Sequence, residues 1–255
     1  GELLLNRLKD DGVDTRHVQV ATGFTTGTAF VMYYSSGARK FIFHLRHSAA
    51  GQLSPDNVEE KYISGAKILH VMGSSLAVSE TSLRACYKAA DVARNSNVSV
   101  IFVPNLRPEL LDVETIRKIC EPMLKVSQAV LPSRDEAATL TGTREPVEAG
   151  KKLVEMGPEI AVIKMGNRGA VAVTREETFF EPAFEVSEVD PTGAGDVYDA
   201  AFAYGLIKKW SLGKTMEFAS AAGAIKVTKF GPMSGPSSIS EVEEFIRKTH
   251  KKVSP

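Results

Sequence analysis

The chain has 255 residues, 43% hydrophobic and 24% charged, which is apolar material for a large core and an ordinary composition for a soluble enzyme. Lys and Arg number 31, balanced by 31 Asp and Glu, so no global field would draw the chain to nucleic acid or to an anionic membrane. Cys86 and Cys120 lack the spacing of a zinc site or a disulfide framework, and no apolar run approaches membrane-spanning length, so buried thiols and a cytoplasmic location are expected.

Residues 2–9 (ELLLNRLK) read as a helix stopped at Gly12. The pattern begins at Gly1 rather than at a Met, as if entered partway through a domain, and a preceding segment is expected. Residues 17–34 and 38–45 are rich in Val, Thr, Phe and Tyr and read as strands joined by SSG at 35–37. From Lys67 short apolar runs (AKILHVMG, VSVIFV, QAVLP) alternate with helical stretches at 79–94, 112–124 and 134–140. Such alternation argues an α/β fold, a mostly parallel sheet covered by helices on both faces. IAVIKMG, GAVAVT and TFFEPA add strands at 160–183, and helices follow near 195–209, 213–229 and 240–250. Residues 16–47 are expected to form a small β-sheet lid projecting from a core made of 1–15 and 48–255.

VDPTGAGDVYDAAFAYGLIKKW, residues 189–210, carries most of the chemistry. Gly193 and Gly195 permit backbone angles and close approaches that a side chain would block. The N–H groups around Gly193, Ala194 and Gly195 can converge at a helix N-terminus, where unpaired donors favour an anion such as a phosphoryl group in flight. Asp196 sits at the mouth of this cradle, placed to accept a proton from an attacking hydroxyl. A Gly-rich turn with Asp at a helix start is also an ordinary capping device, and GAGD alone leaves both readings open. GKT at 213–215 ends like a Walker A loop, but Lys208 stands where that motif needs its first Gly, and the fragment follows a helix; it reads as a helix start.

DPTGAGDVYDAAF resembles the C-terminal signature of the ribokinase-type carbohydrate kinase family, with Pro191 in place of the commoner Thr. The resemblance continues through GVDT at 12–15, TTGTAFV at 25–31, PNLRPEL at 104–110, LPSRDEAATLTG at 131–142, KMGNRGA at 164–170 and FASAAGA at 218–224. It implies a ribokinase-like fold and an ATP-dependent kinase with Asp196 as base. By the same resemblance ATP would be gripped by Asn105, Arg107, Ser133, Lys164, Gly166, Gly169, Gly195 and Ser220. Glu136 would organise Mg2+ through water, and Asp190, Thr192 and Gly231 fall near the family's monovalent-cation (K+) site. Ser133 stands where the family usually has Asn, and Val103 where an Asp commonly precedes PN.

For the acceptor, alternation along FIFHLR puts Ile42, His44 and Arg46 on one face and Phe41, Phe43 and Leu45 on the other. Arg46 with His44 suits a planar carboxylate, and a solvated edge-strand charge is the plainer alternative. KFIFHLRHSAA resembles the corresponding segment of 2-keto-3-deoxygluconate kinases, which implies a sugar acid as acceptor; 5-keto-2-deoxygluconate, fructose and ribose are alternatives, as is a weakly catalytic sugar- or nucleotide-binding fragment. An apolar face of Phe41, Phe43 and Leu45 on an edge-stranded lid further suggests a homo-oligomer formed lid to lid.

Overall fold

The computed structural model describes residues 1–33, 39–106 and 111–252. Elements are numbered in chain order. After α1 (Glu2–Asp10), β1 (Thr28–Tyr33) and β2 (Arg39–His44) form a two-stranded antiparallel sheet, and the short helices α2 (Glu60–Ser64) and α3 (Gly73–Val78) come later in the chain. The main sheet holds β3 (Ile68–Met72), β4 (Ser99–Val103), β5 (Ala129–Val130), β6 (Ile160–Lys164), β7 (Ala170–Val173) and β8 (Thr178–Glu181), side by side in sequence order. β3 to β6 are parallel, β7 returns antiparallel to β6, and β8 is antiparallel to β7.

Because helices cover both faces, the inner strands are apolar throughout rather than alternating. Val100 and Phe102 point into a layer that includes α4 (Glu80–Asn95), α5 (Val113–Val126), α6 (Arg134–Thr141) and α7 (Pro146–Glu155). Ile101 and Val103 point the other way, against α8 (Ala194–Ile207), α9 (Leu212–Val227) and α10 (Ile239–Lys248). Cys86 and Cys120 are free thiols inside the first layer, and burial pushes them up to about 11 and about 12.

Three expectations need correction. Strand was expected across 17–34, but pairing starts only at Thr28; residues 15–24 fold into turns closed by Val18 N–H to Thr15 O and Phe24 N–H to Ala21 O. β propensity without a partner strand does not make a strand. α7 was not expected at all. Gly150 hides it, since a Cβ there would lie 2.4 Å from Val173 Cγ2, so the helix gives up propensity to pack closely on β7. Finally, Phe43 and Leu45 are half-buried, whereas Phe30, Met32 and Ile42 form the exposed apolar face of the small sheet; the side chain of Phe41 lies outside the described residues.

Candidate active site

α8 starts where it does because its N-cap, Gly193, adopts φ 84°, a left-handed conformation that strains other residues. A Cβ at Gly193 would also fall 2.3 Å from the carbonyl oxygen of Pro232, so the turn leading into α8 packs directly on the loop after α9. Among the described residues the N–H groups of Gly193, Gly195 and Asp196 meet no hydrogen-bond acceptor. Three donors are therefore left for an anion at the positive end of the helix. The expected trio is corrected at one position: Ala194 N–H turns back to Pro191 O at 3.2 Å, and Asp196 N–H takes its place. The Asp196 carboxylate is exposed and has no hydrogen-bond or ion-pair partner among the described residues.

This turn opens on a cavity of about 680 Å³, within the usual range for a small-molecule site. Thr192, Gly193, Ala194, Gly195 and Asp196 line it, and so do Asn105, Ser133, Glu136, Lys164, Gly166, Gly169 and Ser220. Residues far apart in sequence are thus gathered from the ends of β4 and β6, the starts of α6 and α8, and the middle of α9. Gly169 has a packing reason of its own, since at φ 89° a Cβ would lie 2.0 Å from Glu181 O. Arg107 lies outside the described residues. His44 and Arg46 do not line the cavity: β2 ends at His44, and Arg46 is exposed in the following turn, so the alternation expected through Arg46 stops short of it.

Lys164, at the end of β6, is held by Asp199 through both carboxylate oxygens at 2.7 and 2.8 Å. The would-be Cβ of Gly195 lies 3.8 Å from Lys164 Nζ, so the ammonium sits against the first turn of α8. Burial pushes the Asp199 carboxyl up to about 6; Lys164 opposes this, and the charges of Asp196 and Glu136 add to it. Glu136 and Ser133 form a reciprocal cap on α6, Ser133 N–H donating to Glu136 Oε2 at 2.7 Å and Glu136 N–H to Ser133 Oγ at 3.3 Å. Leu106 N–H donates to Glu136 Oε1 at 2.8 Å, which fixes the loop after β4. Both oxygens of Glu136 thus hold the frame of the cavity and keep lone pairs for a water.

Behind the turn, Asp190 accepts N–H bonds from Thr192 and Gly231, each at 2.9 Å. These bonds, Thr192 first, hold its carboxyl well below the usual range, at about 2. Lys226, fully buried on α9, donates to the carbonyl oxygens of Asp190 at 2.8 Å and Lys229 at 3.0 Å. Asp190, Thr192 and Gly231 therefore do not fit an exchangeable K+: the fixed ammonium of Lys226 already stands 2.8 Å from the Asp190 carbonyl oxygen, where a second cation would be repelled.

Asp199, Lys226 and His70 were missed from sequence. Asp199 lies three residues after Asp196, on the same face of α8, and Lys226 is a lone cation in the apolar run AAGAIKVT; each breaks an otherwise apolar helix, which is the signal that could have found it. His70 on β3 is solvent-accessible, yet burial and the Lys164 charge lower its pKa while Asp196 opposes them. Nothing in its sequence surroundings marks it.

Unpaired N–H donors beside a free carboxylate on one helix turn have the chemistry to hold a phosphoryl group and to accept a hydroxyl proton, which a phosphotransferase acting on an alcohol requires. Residues 1–239 match the pfkB family carbohydrate kinases, and the chain belongs to that family of ATP-dependent sugar kinases with a ribokinase-like fold. A 2-dehydro-3-deoxygluconokinase from Thermoproteus tenax is 32% identical over 251 residues, 97% of this chain and 76% of that protein. A 5-dehydro-2-deoxygluconokinase from Geobacillus kaustophilus is 30% identical over 253 residues, 96% of this chain and 75% of that protein. The crystal structure of an E. coli protein in complex with ATP and Mg2+ matches with a TM-score of 0.89 at 34% identity, covering 97% of this chain and 79% of the other.

Proposed function

We propose that this kinase phosphorylates a hydroxyl of a small sugar acid, 2-keto-3-deoxygluconate first, with 5-keto-2-deoxygluconate as second choice. The observation that carries the mechanism is the unpaired Asp196 carboxylate beside three unpaired N–H donors on one helix turn. In this reading the γ-phosphoryl group of ATP rests on Gly193, Gly195 and Asp196 N–H, with Lys164 adding charge from the side. Asp196 takes the proton of the acceptor hydroxyl as it attacks in line. Asn105, Ser133, Gly166, Gly169 and Ser220 shape the nucleotide cavity, and Arg107 keeps its role with the phosphates or the acceptor on the sequence resemblance alone. Mg2+ comes with ATP, which suits a site whose described residues include no cluster of three or more metal-ligating side chains; the ion neutralises phosphate charge, and Glu136 holds one of its waters. K+ has no place in the reading, because Lys226 stands on the carbonyl oxygen it would need.

The names of the two kinase relatives support a keto-deoxy sugar acid as acceptor. His44 and Arg46 would meet its carboxylate when residues 16–47 close as a lid over the core, since in this structure neither lines the cavity. Phe30, Met32 and Ile42, exposed on one face of the small sheet, support lid-to-lid association of two copies. The cytoplasm is the proposed location, where ATP is supplied and free thiols such as Cys86 and Cys120 stay reduced; no described helix is long and apolar enough to cross a membrane. The test is ADP release across ribose, fructose and the two keto-deoxygluconates. Turnover confined to sugar acids supports the proposal. Turnover confined to neutral sugars overturns the acceptor, and none with any of them overturns the substrate class.

A further inference from the structure

We infer that Lys226 is a built-in counter-ion for the phosphate-binding turn, standing where an exchangeable monovalent cation would otherwise be needed, and that it makes this kinase indifferent to potassium. A lysine is rarely buried without a carboxylate partner. Lys226 has no accessible surface, and its ammonium is directed at two backbone carbonyl oxygens, 2.8 Å from Asp190 and 3.0 Å from Lys229. Such a cage of carbonyls is the kind of environment that replaces the water shell of a desolvated cation.

The two carbonyls belong to the two segments that clamp the cradle. Asp190 begins the turn that runs to Gly193, and Lys229 begins the loop that runs to Pro232; these segments meet where Gly193 abuts Pro232 O. The Asp190 carboxylate ties the same segments by accepting from Thr192 and from Gly231, and Val189 and Asp190 N–H both donate to Val227 O at the end of α9. The neighbouring ammonium of Lys229 is turned away, to Gly235 O and Glu241. Lys226 is therefore the positive charge that answers the ionised Asp190. Without it, the two carbonyl oxygens that the buried ammonium now satisfies would lose their partner behind a turn that must hold the most negative part of the nucleotide. The role is one of positioning, since nothing places Lys226 in contact with substrate.

The experiment uses Lys226→Ala and Lys226→Met in the full chain, with choline, sodium, potassium, ammonium and methylammonium chlorides at matched ionic strength. MgATP affinity is read by calorimetry, and thermal unfolding is read without nucleotide. Wild type should show the same affinity and unfolding temperature in every salt. Lys226→Ala in choline should bind MgATP on the order of tenfold more weakly, with both losses reversed by potassium, ammonium or methylammonium. Lys226→Met fills the space with an apolar stem and should resist rescue. If Lys226→Ala does not fold in choline, recovery of folding in ammonium or potassium supports the inference, and no recovery overturns it. It is also overturned if wild type tightens its nucleotide with potassium, or if Lys226→Ala is equal to wild type in choline or equally impaired in every salt. The inference rests on the kinase reading only in its MgATP arm. A wild type that binds no MgATP would sink that reading, while the unfolding arm would still judge Lys226.

Discussion

Lys164 Nζ lies 2.7 and 2.8 Å from the two carboxylate oxygens of Asp199, one helical turn beyond Asp196. The pair is nearly enclosed, with the Asp199 side chain 3% exposed, so it fixes a cation against the first turn of α8, where the proposed function places the phosphate charge of ATP. Asp199→Asn should raise the KM for ATP on the order of tenfold, the worth of a charge-assisted bond, with a smaller fall in kcat. An equal fall in kcat and kcat/KM would place Lys164 on the transition state instead.

The same pair sets a pH dependence of stability. Folding raises the Asp199 pKa from 3.8 to about 6, chiefly by burial. Between those two values the folded chain holds a proton that the unfolded chain has released, so stability falls as pH rises through that window and levels off above it. Thermal melts of wild type against Asp199→Asn should show this decline in the wild type and not in the variant. Parallel curves would mean that Asp199 titrates normally.

Asp196→Asn keeps the shape of the proposed base and removes its basicity. Turnover should fall by about two to four orders of magnitude, the usual contribution of a general base, while MgATP binding measured by calorimetry is retained. Because the carboxylate has no partner among the described residues, the unfolding temperature should hardly move. Activity near wild type would remove Asp196 from the mechanism.

Much of this arrangement was legible beforehand, and the limits have physical causes. The parallel sheet was readable because strands buried on both faces are continuous apolar runs such as SVIFV and IAVIK. The α8 turn was readable because backbone geometry there demands glycine. What escaped depends on tertiary contact: Gly150 weakens the local pattern of α7 so that the helix can approach Val173. Asp199 and Lys226 look like misplaced surface charges until the fold supplies Lys164 to one and two carbonyls to the other. The alternation drawn through Arg46 failed in the opposite direction, since it was carried two residues past the end of β2.

The small sheet should mediate association. In the β1–β2 register Phe30 stands opposite Ile42 on the face that also carries Met32, and the three are 63%, 52% and 38% exposed. A charge placed there would have to be buried in a lid-to-lid dimer. Wild type should sediment as a dimer, and Phe30→Asp with Ile42→Asp as a monomer with an unchanged circular dichroism spectrum. A wild-type monomer at high concentration would end the proposal.

The sharpest expectation concerns Arg46. Its guanidinium is exposed in the turn after β2 and lines no part of the cavity, so any effect on catalysis requires the lid to carry it inward. A charge-assisted pair in a closed cleft contributes roughly 1.5–3 kcal/mol, so Arg46→Ala should weaken use of 2-keto-3-deoxygluconate on the order of ten- to a hundredfold. Neutral sugars, if used at all, should be unaffected. Arg46→Lys should recover only part of the loss, because an ammonium keeps the charge but not the planar two-point fork. Steady-state kinetics of the three proteins on the sugar acid and on fructose decide the matter. Unchanged kcat and KM for Arg46→Ala on the sugar acid would return Arg46 to the role of a solvated charge in the turn after β2, and carboxylate recognition would pass to Arg107.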